Sequence, residues 1–231
     1  MPRSARKLEI REANESRILA AAERIFAQHG YRGATTERIA AEAHLPKANV
    51  HYYFKTKANL YRRVLEAVLD DWMSAATAFD QSDDPAEALE NYVTAKMAFS
   101  RKRPYGSRVW AKEIMGGAPV IQKFLGTTLK DWLKQRERII QRWIRNGQMA
   151  PVNPRALLYM IWAATQHYAD FEKQMQILND GKAISDGEYR AKTRQVVRLV
   201  LGSAGVDRGG QRRPIQRRAH SRRILERNHG L

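Results

Sequence analysis

Apolar residues in this chain never run for the ~18 consecutive positions that a membrane span needs; they recur every three or four residues, in groups closed by Gly, Pro or a hydroxyl side chain. That spacing is a helix period. Ile18, Ala22, Ile25 and Phe26 share one face of a first helix predicted over 15–29, which ends where Gly30 can take the left-handed conformation. Thr35 and Thr36 offer caps for a short helix over 37–43, with Ile39, Ala40 and Ala43 turned inward. Pro46 suits the first position of a third helix over 47–54, and Thr56 can cap a fourth from 57 to about 79. Asp84-Pro85-Ala86-Glu87 combines an N-cap, a first-turn proline and a reciprocating Glu. Pro104 opens the next helix, the run 116–119 breaks it, and a long amphipathic stretch follows to Asn146-Gly147. Asn153-Pro154 starts another, and Ser185-x-x-Glu188 is a capping box for the last. With no strand pair and no repeat, the fold class is all-α, with about nine helices.

Charge says which surfaces face outward and to what. The chain has 41 Lys+Arg against 24 Asp+Glu, a net charge of +17, which favours a polyanionic partner. Residues 1–64 hold thirteen Lys/Arg against six Glu, and residues 207–231 hold eight Arg against Asp207 and Glu226, leaving a nearly balanced middle. That asymmetry points to a small nucleic-acid-facing module on a neutral body, with an Arg-rich tail over 206–231 expected to be disordered. The first twenty residues have no apolar core of a signal peptide, and there is no cysteine for a disulfide or thiolate site. The expected compartment is the cytoplasm, with no membrane partner.

Three short helices, the last two joined by a tight turn, are the arrangement that lays a recognition helix in the major groove. The residues sharpen the reading: Ile25-Phe26-Ala27-x-x-Gly30-Tyr31-x-x-Ala34-Thr35-Thr36-x-x-Ile39-Ala40-x-x-Ala43, then Asn49-Val50-His51-Tyr52-Tyr53-Phe54-x-x-Lys57-x-x-Leu60. This resembles the TetR family of transcription regulators from the first helix to the start of the fourth. The chain departs from the family pattern at His44, usually Gly, and at Pro46, usually Ser or Thr; His tolerates a positive φ at some cost. The resemblance implies a helix-turn-helix domain over 1–56 and a larger ligand-binding and dimerisation domain over 57–205. Lys47, Ala48 and Asn49 stand where base edges would be read, Lys toward guanine and Asn toward adenine. Thr35, Thr36, His51, Tyr52 and Lys57 take the family's phosphate-facing positions. Tyr53 and Phe54 read as aromatics that close the module.

A narrower resemblance lies further on. Leu158 to Phe171, with Ser107-Arg108 and Glu113-x-x-Gly116-Gly117-Ala118-Pro119, is similar to regulators of pyrimidine utilisation in that family, whose ligand is uracil or thymine. It implies ligand contacts at Trp72, Glu113, Trp162 and Gln166. Trp162 and Gln166 are four apart on one helix face, a flat surface beside an amide that both donates and accepts, which suits a planar imide; equally, they can be core residues. Trp110, Trp132 and Trp143 read as core anchors. His167 and Asp170 could be a metal or acid/base pair, but an interface histidine is the simpler account. An apolar four-helix seam of Ile161, Ala164, Tyr168, Val197, Val200 and Leu201 is expected to form a homodimer, which implies a palindromic operator.

No glycine-rich phosphate loop, nucleophile elbow or metal cluster is present in the sequence, so neither an enzyme nor a cofactor is expected. The expected function is a ligand-responsive repressor that binds double-stranded operator DNA. A regulator answering to a different small metabolite, and a nonspecific nucleoid protein, are the alternatives.

Overall fold

The computed structural model describes residues 3–206, and every regular element among them is helical. Helix α1 (Arg3–Gly33) begins well before the expected start, because its opening turns are exposed and carry no apolar stripe to mark them. It also passes Gly30, where φ 67 and ψ 176 break the helix without adopting the left-handed geometry expected there. Helix α2 (Thr36–Glu42) is capped by Thr35, whose hydroxyl accepts from the Arg38 amide at 3.2 Å. It ends in a Schellman turn: the Leu45 and His44 amides donate to the Ala40 and Ala41 carbonyls, with His44 at φ 52. Helix α3 (Lys47–Tyr53) follows. Pro46 (φ −57, ψ 144) lies one step outside it, since its extended ψ keeps it out of the first helical position.

Helix α4 (Lys57–Ala76), capped by Thr56, gives way to a 3₁₀ turn, Thr77–Gln81, short of the expected end. Asp84 caps α5 (Pro85–Lys102) as predicted, but the Glu87 carboxylate takes its bond from Ser82. Helix α6 (Pro104–Met115) ends at the glycine pair. The long amphipathic stretch is broken: α7 (Gln122–Phe124) runs through a π-helical turn, Leu125–Leu129, into α8 (Lys130–Arg145). Helix α9 (Pro154–Asp170) is capped by Asn153, and the predicted capping box opens α11 (Asp186–Ala204). Between them lies α10 (Glu172–Leu178), which buries no residue and so left no periodic trace in the sequence.

Two cores organise these helices. The first gathers Ile18, Phe26, Ile39, Val50 and Phe54 around the opening half of α4, and takes in Val109 and Trp110 of α6. The second packs Phe79, Leu89, Met97, Ile140, Trp143 and Leu158 from the remaining helices. Helix α4 therefore belongs to both, and α6 lies against α1 where Gly106 leaves room: a Cβ there would meet Val68 Cγ2 at 3.0 Å and Glu23 Oε1 at 3.1 Å. The second core also takes in most of the residues expected at the dimer seam. Ile161, Val197, Val200 and Leu201 are buried inside their own protomer, because α9 and α11 turn their apolar faces onto α5. Ala164 and Tyr168 remain half-buried at its edge. The expected tail lies, from residue 207 onward, outside the described residues.

Candidate functional site

The outer face of α3 is built by what its inner face must do. Val50 and Phe54 are buried in the first core, with α3 against α2, which turns Lys47, Ala48, His51 and Tyr52 to solvent; Tyr52 is 72% exposed, and Asn49 is half-buried. Tyr53 packs against the core as read from the sequence, with Tyr52 edge-on at 5.2 Å. Thr35 is exposed at the start of α2, and Thr36 beside it is half-buried. Two basic residues already have protein partners. Lys47 pairs with Glu37 of α2, which holds that carboxyl down to about 2. Both are exposed, and such a surface pair is worth ~0–1 kcal/mol, little hindrance to an exchange for another anion. Lys57 is half-buried; its ammonium donates to the Ala34 carbonyl at 3.0 Å and lies 4.6 Å from the Tyr31 ring centroid. It thereby ties α4 to the α1–α2 connection, with two N–H groups left for a further acceptor.

A second site lies inside the body. Helices α4, α5, α6, α8 and α9, with α7 and the π-helical turn after it, line a half-open cavity of about 790 Å³, within the range of small-molecule sites. Its walls are mostly aromatic and aliphatic. Trp72 and Trp162 line it, and so do Trp110 and Trp132, which serve both core and cavity; Trp143 is core alone. The Trp162 indole N–H donates to the Tyr92 hydroxyl at 2.7 Å, which fixes that ring as a wall. Gln166 faces the cavity and makes no hydrogen bond among the described residues, and the Trp72 and Trp132 indole N–H groups have no acceptor there. Glu113 does not line the cavity. Its carboxylate is buried on the far side of α6, where it accepts from Tyr61 Oη at 3.0 Å and the Val120 amide at 2.7 Å, so it pins the glycine loop to α4.

Sequence reasoning missed Lys96. It is 2% exposed, lines the cavity, and holds its ammonium 3.5 Å from the Trp72 ring centroid. Burial holds its pKa down to about 7. The signal was available: Leu89, Tyr92, Val93, Met97 and Ser100 form the buried stripe of α5, and a lysine within that stripe demands an explanation. His167 and Asp170 also line the cavity. His167 stacks on Phe171 at 5.0 Å. Asp170 accepts from Ser107 Oγ at 2.6 Å, and burial raises its pKa.

Helix α6 joins the two sites. One flank lines the cavity through Trp110, Lys112 and Met115, while the Lys112 ammonium reaches the Ala27 carbonyl of α1 at 2.6 Å. Just before α6, Arg103 donates to Glu23 of α1 at 2.6 and 2.8 Å, and to the Ala67 carbonyl and Asp71 of α4 at 2.8 and 2.5 Å. These bonds tie α6 and the residue before it to α1 and α4, the helices that frame the module carrying α3.

Comparison with known proteins agrees with this layout. The family model for bacterial regulatory proteins of the tetR family matches residues 18–64, and that for the YcdC-like C-terminal region matches 65–207. The HTH-type transcriptional regulator RutR of Escherichia coli K12 is 34% identical over 189 residues, 82% of this chain and 89% of RutR. The solved structure of SCO4942 from Streptomyces coelicolor superposes with a TM-score of 0.61 at 26% identity, covering 81% of this chain and 96% of the other. A tetR-family regulatory protein from Rhodococcus RHA1 gives 0.64 at 23% identity, covering 84% and 98%.

Proposed function

The chain belongs to the TetR family of bacterial transcription regulators, and from that premise we propose that it is a repressor whose homodimer binds a palindromic operator and whose effector is a planar metabolite of the uracil or thymine type. We assign DNA binding to residues 1–56 and sensing to 57–205. The observation that carries the DNA half is the outer face of α3: Lys47, Ala48, His51 and Tyr52 stand in solvent on a helix anchored by Val50 and Phe54. Lys47 and Asn49 read base edges; Thr35, Thr36, His51, Tyr52 and Lys57 fix the register on phosphates. A twofold pair of such helices fits half-sites one helical turn apart, about 34–36 Å.

For the effector, the support is the resemblance to pyrimidine-utilisation regulators together with a free Gln166 amide among flat indoles. A buried amide left without its partner rejects look-alikes, which would give such a pocket its selectivity. The seam between protomers uses what the core leaves outside: Met160, Ala164 and Tyr168 recur every four residues along α9, and Leu199 is 70% exposed on α11. Ligand acts through α6, provided that it prefers one of two spacings of the recognition helices.

The test compares DNA from the chain's own upstream region with a scrambled duplex at one physiological salt concentration, with and without uracil or thymine. Tighter binding of the first, weakened by either base, is expected. Equal affinity for both duplexes would favour nonspecific binding and reject an operator.

A further inference from the structure

We propose that the cavity takes an effector bearing a carboxylate, which seats on the ammonium of Lys96 while its flat apolar body lies against Trp72 and Trp110. This rests on the cavity being the effector site, as read above, and departs from that reading in giving the effector a negative charge. The argument starts from charge. Among the charged residues that line the cavity, three are cationic, Lys96, Arg108 and Lys112, and one, Asp170, is acidic. Arg108 is already held by Glu172 at 3.1 Å and the Pro104 carbonyl at 3.2 Å. Lys112 points away, onto α1. Lys96 alone of the three makes neither a hydrogen bond nor an ion pair among the described residues.

Its contact with the face of Trp72 offsets only part of the cost of holding an ammonium away from water. Asp170 relieves it only in part, through space: no carboxylate oxygen lies within ion-pair distance of Nζ, and Asp170 is engaged by Ser107 Oγ. The surroundings are rich in donors as well, with the Trp72 and Trp132 indole N–H groups lacking acceptors. An anion with oxygen acceptors is the chemistry that complements such a site. Size agrees, since a single pyrimidine ring would fill a small part of about 790 Å³, and the remaining wall is apolar and aromatic. Burial has lowered the pKa of Lys96, so a carboxylate that seats there restores the charged form with uptake of a proton and binds more tightly as the pH falls.

Calorimetry on the full chain with a matched pair of probes, 2-naphthoate and 2-naphthamide, tests this. The two share shape and apolar area and differ in charge. Wild-type protein is expected to bind the carboxylate about tenfold or more tightly than the amide. In Lys96→Met, which keeps the volume and removes the charge, that preference should fall to about onefold, with amide binding retained as proof of an intact cavity. Lys96→Arg should keep a preference for the carboxylate. Equal affinity of the wild type for the two probes, no binding of either, or a preference that survives in Lys96→Met would overturn the proposal. Uracil and thymine, run alongside, separate the two ideas. Heat from them without a carboxylate preference keeps the pyrimidine reading and rejects Lys96 as an anion seat, whereas the reverse pattern keeps the seat and rejects the pyrimidine.

Discussion

His44 carries a cost that its neighbours do not. Its φ of 52 closes the Schellman turn between α2 and α3, a conformation that disfavours a Cβ by about 1–2 kcal/mol. His44→Gly is therefore expected to stabilise the protein by about 1 kcal/mol, partly offset by the freer unfolded chain, and to raise the urea midpoint without changing the slope. Lys96 gives a second prediction at this scale. Its pKa is lowered from the ordinary 10.5 to about 7 in the folded state, so between those values the unfolded chain holds the extra proton. Stability should then rise as pH goes from about 7 toward 10.5, and the rise should be smaller in Lys96→Met when the two proteins are compared by denaturant unfolding across that range. His44 was legible in the sequence, because the turn's chemistry is local. Lys96 was passed over, because a single polar residue in an apolar stripe acquires its meaning only from the cavity that the other helices close around it.

At the scale of helices, the helix starts were readable because caps and turns are short-range signals: Thr35, Thr56, Asp84, Asn153 and Ser185 all cap where their spacing placed them. Elements without a buried face escaped detection, namely the opening of α1 and all of α10. So did the direction of the apolar faces of α9 and α11, since periodicity shows that a stripe exists and not what covers it. Arg103 belongs to this scale because it holds three helices at once. Removing it leaves Glu23, 8% exposed, with its charge buried and unpaired, so Arg103→Ala should destabilise the fold by about 3–5 kcal/mol. Arg103→Leu combined with Glu23→Leu should recover a large part of that loss, a result that denaturant titration of both variants would check. If α6 is the link between cavity and operator, the double variant should also respond less to effector in the DNA-binding assay than the wild type does.

For the molecule as a whole, the proposed seam predicts that Leu199→Arg and Met160→Glu lower the oligomeric state in sedimentation while leaving the helical circular-dichroism signal unchanged. Operator affinity should fall steeply with them, because one recognition helix reads only half a palindrome. Ile161→Ala, in contrast, should cost about 2–5 kcal/mol of folding stability, since that side chain is fully buried within its own chain. The inward turn of α9 and α11 has a kinetic corollary. With α11 packed into its own protomer's interior, a single copy is expected to be stable without a mate, so newly made copies would mature singly and pair afterwards. Dilution should then take dimers apart without melting them, and the cell's copy number, as much as any metabolite, would set how often the promoter is occupied.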